Sequence, residues 1–217
     1  MKPNTLTFDC YGTLIDWKRG IVDNFRRFSR LGDSNDSDIF NMYVELESKN
    51  ENDYSTYRQI LSTTFLALAH QLKLNPTEEE AEKFADSISE WPAFEDTVST
   101  LKILGENGFK RIILSNIDRS LLIGTIERSK MQVDGFITAE DVKSYKPQTG
   151  HWQELLKKYH LQREQVIHIA GSIYHDIIPA SNMGFETIWV NRYKESPRDG
   201  VYPTHIVQSL SEVLKIL

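Results

Sequence analysis

Several polar residues stand just past apolar runs, and their types suggest covalent chemistry. Asp9 follows Thr5-Leu6-Thr7-Phe8, Ser115 and Asn116 close a run that starts at Arg111, and Lys146 lies in Ser144-Tyr145-Lys146-Pro147. Gly171, Ser172 and Asp176 follow Val166 to Ala170. A carboxylate at the carboxyl end of a central strand sits where open α/β sheets place their ligands. Asp9 is thus a candidate nucleophile, attacking carbon or phosphorus to form an aspartyl ester. A hydroxyl, an ammonium and a second acid converge on the same crevice. Two residues past Asp9, where another acid would supply general acid catalysis, stands Tyr11.

The elements that must position these groups follow from the hydrophobic pattern. From Leu14 to Glu90 the apolar spacing is helical: Ile21, Val22, Phe25 and Phe28, then Ile39, Phe40, Tyr43, Val44 and Leu46, then Tyr57, Ile60, Leu61, Phe65, Leu68 and Leu72. Asn75-Pro76-Thr77 before Glu78, Glu79 and Glu80 reads as a capped helix start with a solvated acidic first turn. Gly32 to Asp38 and Asn50 to Ser55 read as loops. After Trp91-Pro92 helices and strands alternate. Strands are expected at Arg111–Ser115, Gly135–Thr138, Val166–Ala170 and Glu186–Val190, and a last helix at Leu210–Leu217. Strands separated by helices imply right-handed crossovers and a parallel sheet covered on both faces. The expected division is a discontinuous α/β core, residues 1–15 and 92–217, with residues 16–91 as an inserted helical lid.

The chain has 217 residues, net charge −6 and no basic stripe, so nucleic acid and anionic membranes are poor partners. A single cysteine, Cys10, excludes an internal disulfide framework; it is expected to point away from the site and pack as a small apolar group. No apolar run reaches a membrane-spanning length and no signal segment precedes the first strand, which points to a cytoplasmic protein. Separately, the expected partners are a small carboxylic acid and at most a second copy of the chain, as monomer or homodimer.

Asp9-Cys10-Tyr11-Gly12-Thr13, Leu114-Ser115-Asn116, Tyr145-Lys146-Pro147 and Tyr174-His175-Asp176 occur in the order found in the haloacid dehalogenase-like hydrolase superfamily, which the chain resembles over nearly its whole length. The resemblance implies a Rossmann-like core, a helical cap and a covalent aspartyl intermediate. It implies that Asp9 is the nucleophile, that Thr13 hydrogen-bonds its carboxylate, and that Ser115 orients the leaving group or substrate carboxylate. Lys146 would hold Asp9 and keep it ionised, and Asp176 would hold Lys146 or position the hydrolytic water. Backbone N–H groups near Tyr11 and Gly12 would stabilise developing charge. Taken singly, each has a plainer reading: turn former, helix cap, or solvated lysine before proline.

Tyr11 divides the superfamily. Its phosphatases carry an acid there, whereas its type II 2-haloacid dehalogenase branch carries this same Asp-x-Tyr-Gly-Thr pattern, and a departing halide needs no proton. The phosphatases also hold magnesium partly through an acid at the position of Gly171. No cofactor is therefore expected, with magnesium required only on the phosphatase alternative. The dehalogenase branch uses a cap arginine and an asparagine at the position of Ile173; Asn116, its other halide-side group, is present. Between Leu31 and Tyr57 there is no arginine, which leaves Arg58 as a source of positive charge or a plain helix-surface residue. Trp91-Pro92-Ala93-Phe94, Leu114 to Arg119 and Tyr174-His175-Asp176 are also similar to the hydrolase that opens the ring of L-azetidine-2-carboxylate. Ser172, Tyr174 and His175 are candidate pocket walls, His168 reads as a core residue or satisfied neighbour, and Trp17, Trp91 and Trp152 as packing or hinge aromatics. The expected activity is hydrolysis at C2 of a small 2-substituted carboxylic acid. The alternatives are a magnesium-dependent phosphatase and a non-catalytic small-acid-binding protein.

Overall fold

A computed structural model describes residues 3–32, 34–50, 54–196, 200 and 202–217. Its centre is a six-stranded, wholly parallel sheet in the order β3-β2-β1-β4-β5-β6. The strands are β1 Thr5–Phe8, β2 Lys110–Ser115, β3 Gly135–Thr138, β4 Val166–Ala170, β5 Glu186–Val190 and β6 His205–Val207. Short runs that are apolar on both faces form strands here because helices cover both sides. The chain winds outward from β1 through β2 to β3, then returns to β4 and winds the other way. The switch point lies between β1 and β4, where Phe8 pairs with Ile113 on one side and Ile169 on the other. A crevice opens at the carboxyl ends of strands at such a point.

Four helices are inserted after β1: α1 Trp17–Ser29, α2 Asp36–Ser48, α3 Tyr57–Gln71 and α4 Glu78–Asp86. Capping boxes start α3, through Thr56 and Gln59, and α4, through Thr77 and Glu80. Their inner faces share stacked and edge-on rings: Phe25 on Phe65 at 5.3 Å and Phe65 on Phe84 at 5.1 Å. Trp91 joins this cluster and meets Tyr11 edge-on at 6.0 Å. The inserted segment leaves and re-enters at one place, since Asp16 N–H donates to Pro92 O at 2.8 Å and Phe94 N–H to Leu14 O at 3.0 Å. The rest of the sheet is covered by α5 Thr97–Glu106, α6 Arg119–Ser129, α7 Ala139–Val142, α8 Gly150–Tyr159 and α9 Ile178–Asn182.

Two expectations need correction, and one strand has no counterpart among them. The stretch Gly32 to Asp38 is not all loop: Asn35 accepts from the N–H groups of Ser37 and Asp38, so polar residues that favour turns instead start α2. The last helix is a 3-10 segment, Leu210–Lys215. The strand β6, with an exposed Ile206, was not foreseen. Of the other expected loop, residues 51–53 lie outside the described residues. No helix among the described residues is long and apolar enough to cross a membrane.

Candidate active site

Alternation along β1 carries Leu6, Phe8 and Cys10 to an apolar face, where Cys10 is fully buried. Thr5, Thr7 and Asp9 take the other side. Just past the strand, Gly12 turns the chain with φ +92°, a left-handed conformation that favours glycine, and its N–H donates to Ile15 O at 2.8 Å. That bond corrects one expectation: the Gly12 N–H is held within its own turn and does not face developing charge.

The buried Asp9 carboxylate is fixed at both oxygens. Lys146 Nζ donates to Oδ1 at 2.8 Å, and Thr13 Oγ1 donates to Oδ2 at 2.7 Å. Thr13 in turn accepts from the Gly171 N–H at 2.8 Å, which ties the loop after β1 to the loop after β4. Lys146, 1% exposed, has all three protons placed: on Asp9, on Asp176 Oδ1 at 2.6 Å and on Leu114 O at 3.0 Å. Burial alone would lower the lysine pKa; the two carboxylates beside it reverse that and raise it. For Asp176, burial would raise the pKa, but Lys146 and His168 outweigh it and hold the carboxyl well below the usual range. Asp9 goes the other way: burial, reinforced by the charge of Asp176, outweighs Lys146 and raises its pKa. Lys146 therefore moderates the cost of ionising Asp9 and does not abolish it.

The other expected residues divide. Ser115 and Asn116 both line the cavity. Both ends of the Asn116 amide are engaged, however: Nδ2 donates to Lys146 O at 3.1 Å and Oδ1 accepts from the Lys146 N–H at 2.7 Å. Asn116 is thus a clamp on the lysine backbone. The Tyr11 hydroxyl pairs with Thr125 Oγ1 at 2.6 Å, and burial pushes it well above the usual phenol range, so it is no proton shuttle at neutral pH. Ser172 caps a π-helical turn, Ile173–Ile177, by accepting from His175 N–H; this turn carries Asp176 inward and leaves Tyr174 half exposed at the cavity mouth. Arg58 does not join them. Its guanidinium pairs with Asp86 at the surface, because its position on α3 faces α4 and not the core.

These groups face a cavity of about 730 Å³ between the strand ends and the inserted helices. The far wall is Trp17, Phe40, Val44, Glu47, Ser48 and Tyr57. Trp17 packs edge-on to Phe40 at 5.2 Å, and the Tyr57 hydroxyl donates to Glu47 Oε1 at 2.7 Å. A buried acid therefore stands on the cap side, where the resemblance led one to look for an arginine. Two core residues hold this wall in place: Asp118 accepts from the N–H groups of Tyr57 and Arg58 at 3.0 and 2.9 Å, capping α3, and Tyr145 donates to Ser55 O at 2.7 Å. Arg192, also unforeseen, lines the cavity while donating to Thr13 O at 2.9 Å and pairing with Asp96. Its place two residues past the end of β5 was the available signal.

The donor set does not suit a magnesium ion. Lys146 already bridges the two carboxylates, and a Cβ at Gly171 would meet Gly12 O at 2.7 Å, so no side-chain ligand fits where an acid would be needed. Among the described residues no cluster of three His, Cys, Asp or Glu side chains could hold a metal.

The chain is 26% identical to (S)-2-haloacid dehalogenase 4A of Burkholderia cepacia, over 97% of this chain and 93% of that one. Its fold superposes on a dehalogenase solved as an intermediate complex with a TM-score of 0.89, at 22% identity, covering 100% of this chain and 97% of the other. It matches L-2-haloacid dehalogenase from Xanthobacter autotrophicus with chloropropionic acid covalently bound with a TM-score of 0.86, at 17% identity and coverages of 99% and 98%. The model of the haloacid dehalogenase-like hydrolases matches residues 3–184, and the chain is an enzyme of that family.

Proposed function

We propose that this protein hydrolyses the bond between C2 and the leaving group of a small 2-substituted carboxylic acid, as 2-haloacid dehalogenases do. Asp9 Oδ attacks C2, the C2–leaving-group bond breaks with its electron pair, and an ester forms. Water then adds to the Asp9 carbonyl carbon, the 2-hydroxy acid departs, and the carboxylate is restored with loss of a proton. Lys146, Thr13 and Asp176 hold the reacting groups, Ser115 orients the substrate, and Tyr11, Tyr174 and Ser172 line its path. Residues 16–91 act as the cap over a core of 1–15 and 92–217. The observation that carries this reading is the fixation of both Asp9 oxygens, by Lys146 and Thr13, at the floor of the cavity. It requires no metal or cofactor, and a halide leaves without the proton that Tyr11 cannot give.

Glu47 favours a second reading within the same chemistry. A carboxyl on the cap wall is a poor halide cradle but a good acceptor for an amine, so a strained cyclic amine such as azetidine-2-carboxylate is the competing substrate. The test is a panel of both hands of 2-chloropropionate, azetidine-2-carboxylate and p-nitrophenyl phosphate, with and without magnesium. Turnover of a carboxylate in metal-free buffer, with Asp9 modified in quenched samples, supports the proposal. Magnesium-dependent phosphate release alone overturns it.

A further inference from the structure

His168 is fully buried in the middle of β4, and nothing in the ester chemistry above uses it. In the sheet it pairs with Thr7, two residues before Asp9 and therefore on the same side of β1. Its Nδ1 lies 2.9 Å from Thr7 Oγ1 and its Nε2 lies 3.1 Å from Asp176 Oδ1. A carboxylate oxygen only accepts, so Nε2 donates to Asp176, while the Thr7 hydroxyl holds the Nδ1 side of the ring and also lies within 3.4 Å of Ile167 O. Trp152 stands edge-on to the ring at 5.3 Å and fills the space behind it.

We infer that His168, held by Thr7, is a positioning residue for the second half of the reaction, hydrolysis of the ester. The inference rests on the proposed function. Asp176 Oδ1 receives two donors, Lys146 Nζ and His168 Nε2, on one side of the carboxylate. Asp176 Oδ2 is buried, has no hydrogen-bond partner among the described residues, and belongs to a side chain that lines the cavity. The two donors fix the rotation of the carboxylate, and with it the direction of Oδ2. Oδ2 is the acceptor for the water that adds to the Asp9 carbonyl carbon. One proton of that water passes to the departing alkoxide oxygen of the 2-hydroxy acid, and the Asp9 carboxyl releases the other to solvent. Attack on C2 needs no water, so ester formation does not depend on this direction.

The test is rapid quench with (S)-2-chloropropionate, reading the Asp9 ester by intact mass and peptide mapping. His168→Phe keeps the ring against Trp152 and removes the donor; it is expected to slow ester hydrolysis by roughly tenfold or more while ester formation changes little, so the adduct accumulates. His168→Gln, which returns an N–H near Nε2, is expected to restore most of the hydrolysis rate. Thr7→Val, of the same shape, is expected to show a smaller accumulation and carries the test alone if His168→Phe does not fold. Equal slowing of both steps, or no accumulation in any variant, overturns the inference. A wild-type enzyme that turns over substrate and never modifies Asp9 removes the proposed function itself, and this inference with it.

Discussion

On the core wall of the cavity, Lys146 has three protons on three acceptors, Asp9 has a donor on each oxygen, and Thr13 and Asn116 bond both ways. The cap wall is mostly rings and aliphatic groups, with Glu47 and Tyr57 as a polar pair among them. The core wall is a closed hydrogen-bonded frame in which each member fixes the next, and a change at one place leaves its neighbours buried and unmatched. The cap wall is a surface of shape and one acid, which can be altered without unravelling its support. On the proposed function, chemistry belongs to the first and choice of substrate to the second.

The largest effect is expected at Asp9. Asp9→Asn should lower turnover by roughly 10⁴-fold or more while circular dichroism and the melting transition stay near those of the parent. Substantial remaining turnover would mean that the frame does not hold a nucleophile. Lys146→Met comes next, because it leaves the carboxylates of Asp9 and Asp176 buried side by side. Denaturant unfolding should show a loss of about 3–5 kcal/mol, together with lost activity. An unchanged midpoint would show that the frame contributes nothing to stability.

The raised Asp9 pKa gives a pH signature. Only the ionised carboxylate attacks, so kcat/KM should climb with pH through an apparent pKa above the ordinary aspartate value of 3.8 and then level off. An acid limb at or below that value contradicts the balance of burial over Lys146. On the cap wall, Glu47→Gln should leave the fold intact and shift relative kcat/KM from azetidine-2-carboxylate toward 2-chloropropionate by roughly tenfold, equivalent to about 1.4 kcal/mol. No shift would remove Glu47 from substrate choice. The smallest effect belongs to Arg58→Ala: its ion pair with Asp86 is exposed, so stability should change by about 0–1 kcal/mol and activity hardly at all.

The same contrast governs what could be read from the chain. Runs such as Val166–Ala170 and Glu186–Val190 are short and dominated by β-branched and other apolar residues, so strands and their polar ends were legible, and with them Asp9, Ser115, Lys146 and Asp176. His168 sits inside such a run, and its place beside Asp176 depends on the register that pairs it with Thr7. Glu47 was hidden because helical spacing marks buried apolar positions and is silent about a buried acid; its partner Tyr57 opens the next helix and reaches it only through the packing of α2 against α3. Arg58 misled for the opposite reason: its type suited the task, and only the rotation of α3 shows that it faces Asp86. The three-residue strand β6 is too short for any periodicity to mark it.

The bond between Asp9 and substrate carbon is tested most directly by a single turnover in oxygen-18 water, with enzyme in excess over 2-chloropropionate. Water attacks the ester at the Asp9 carbonyl carbon, so the heavy isotope should appear in the peptide that contains Asp9 and be absent from the first equivalent of product. Heavy oxygen in that first product, with an unlabelled Asp9 peptide, would contradict the account.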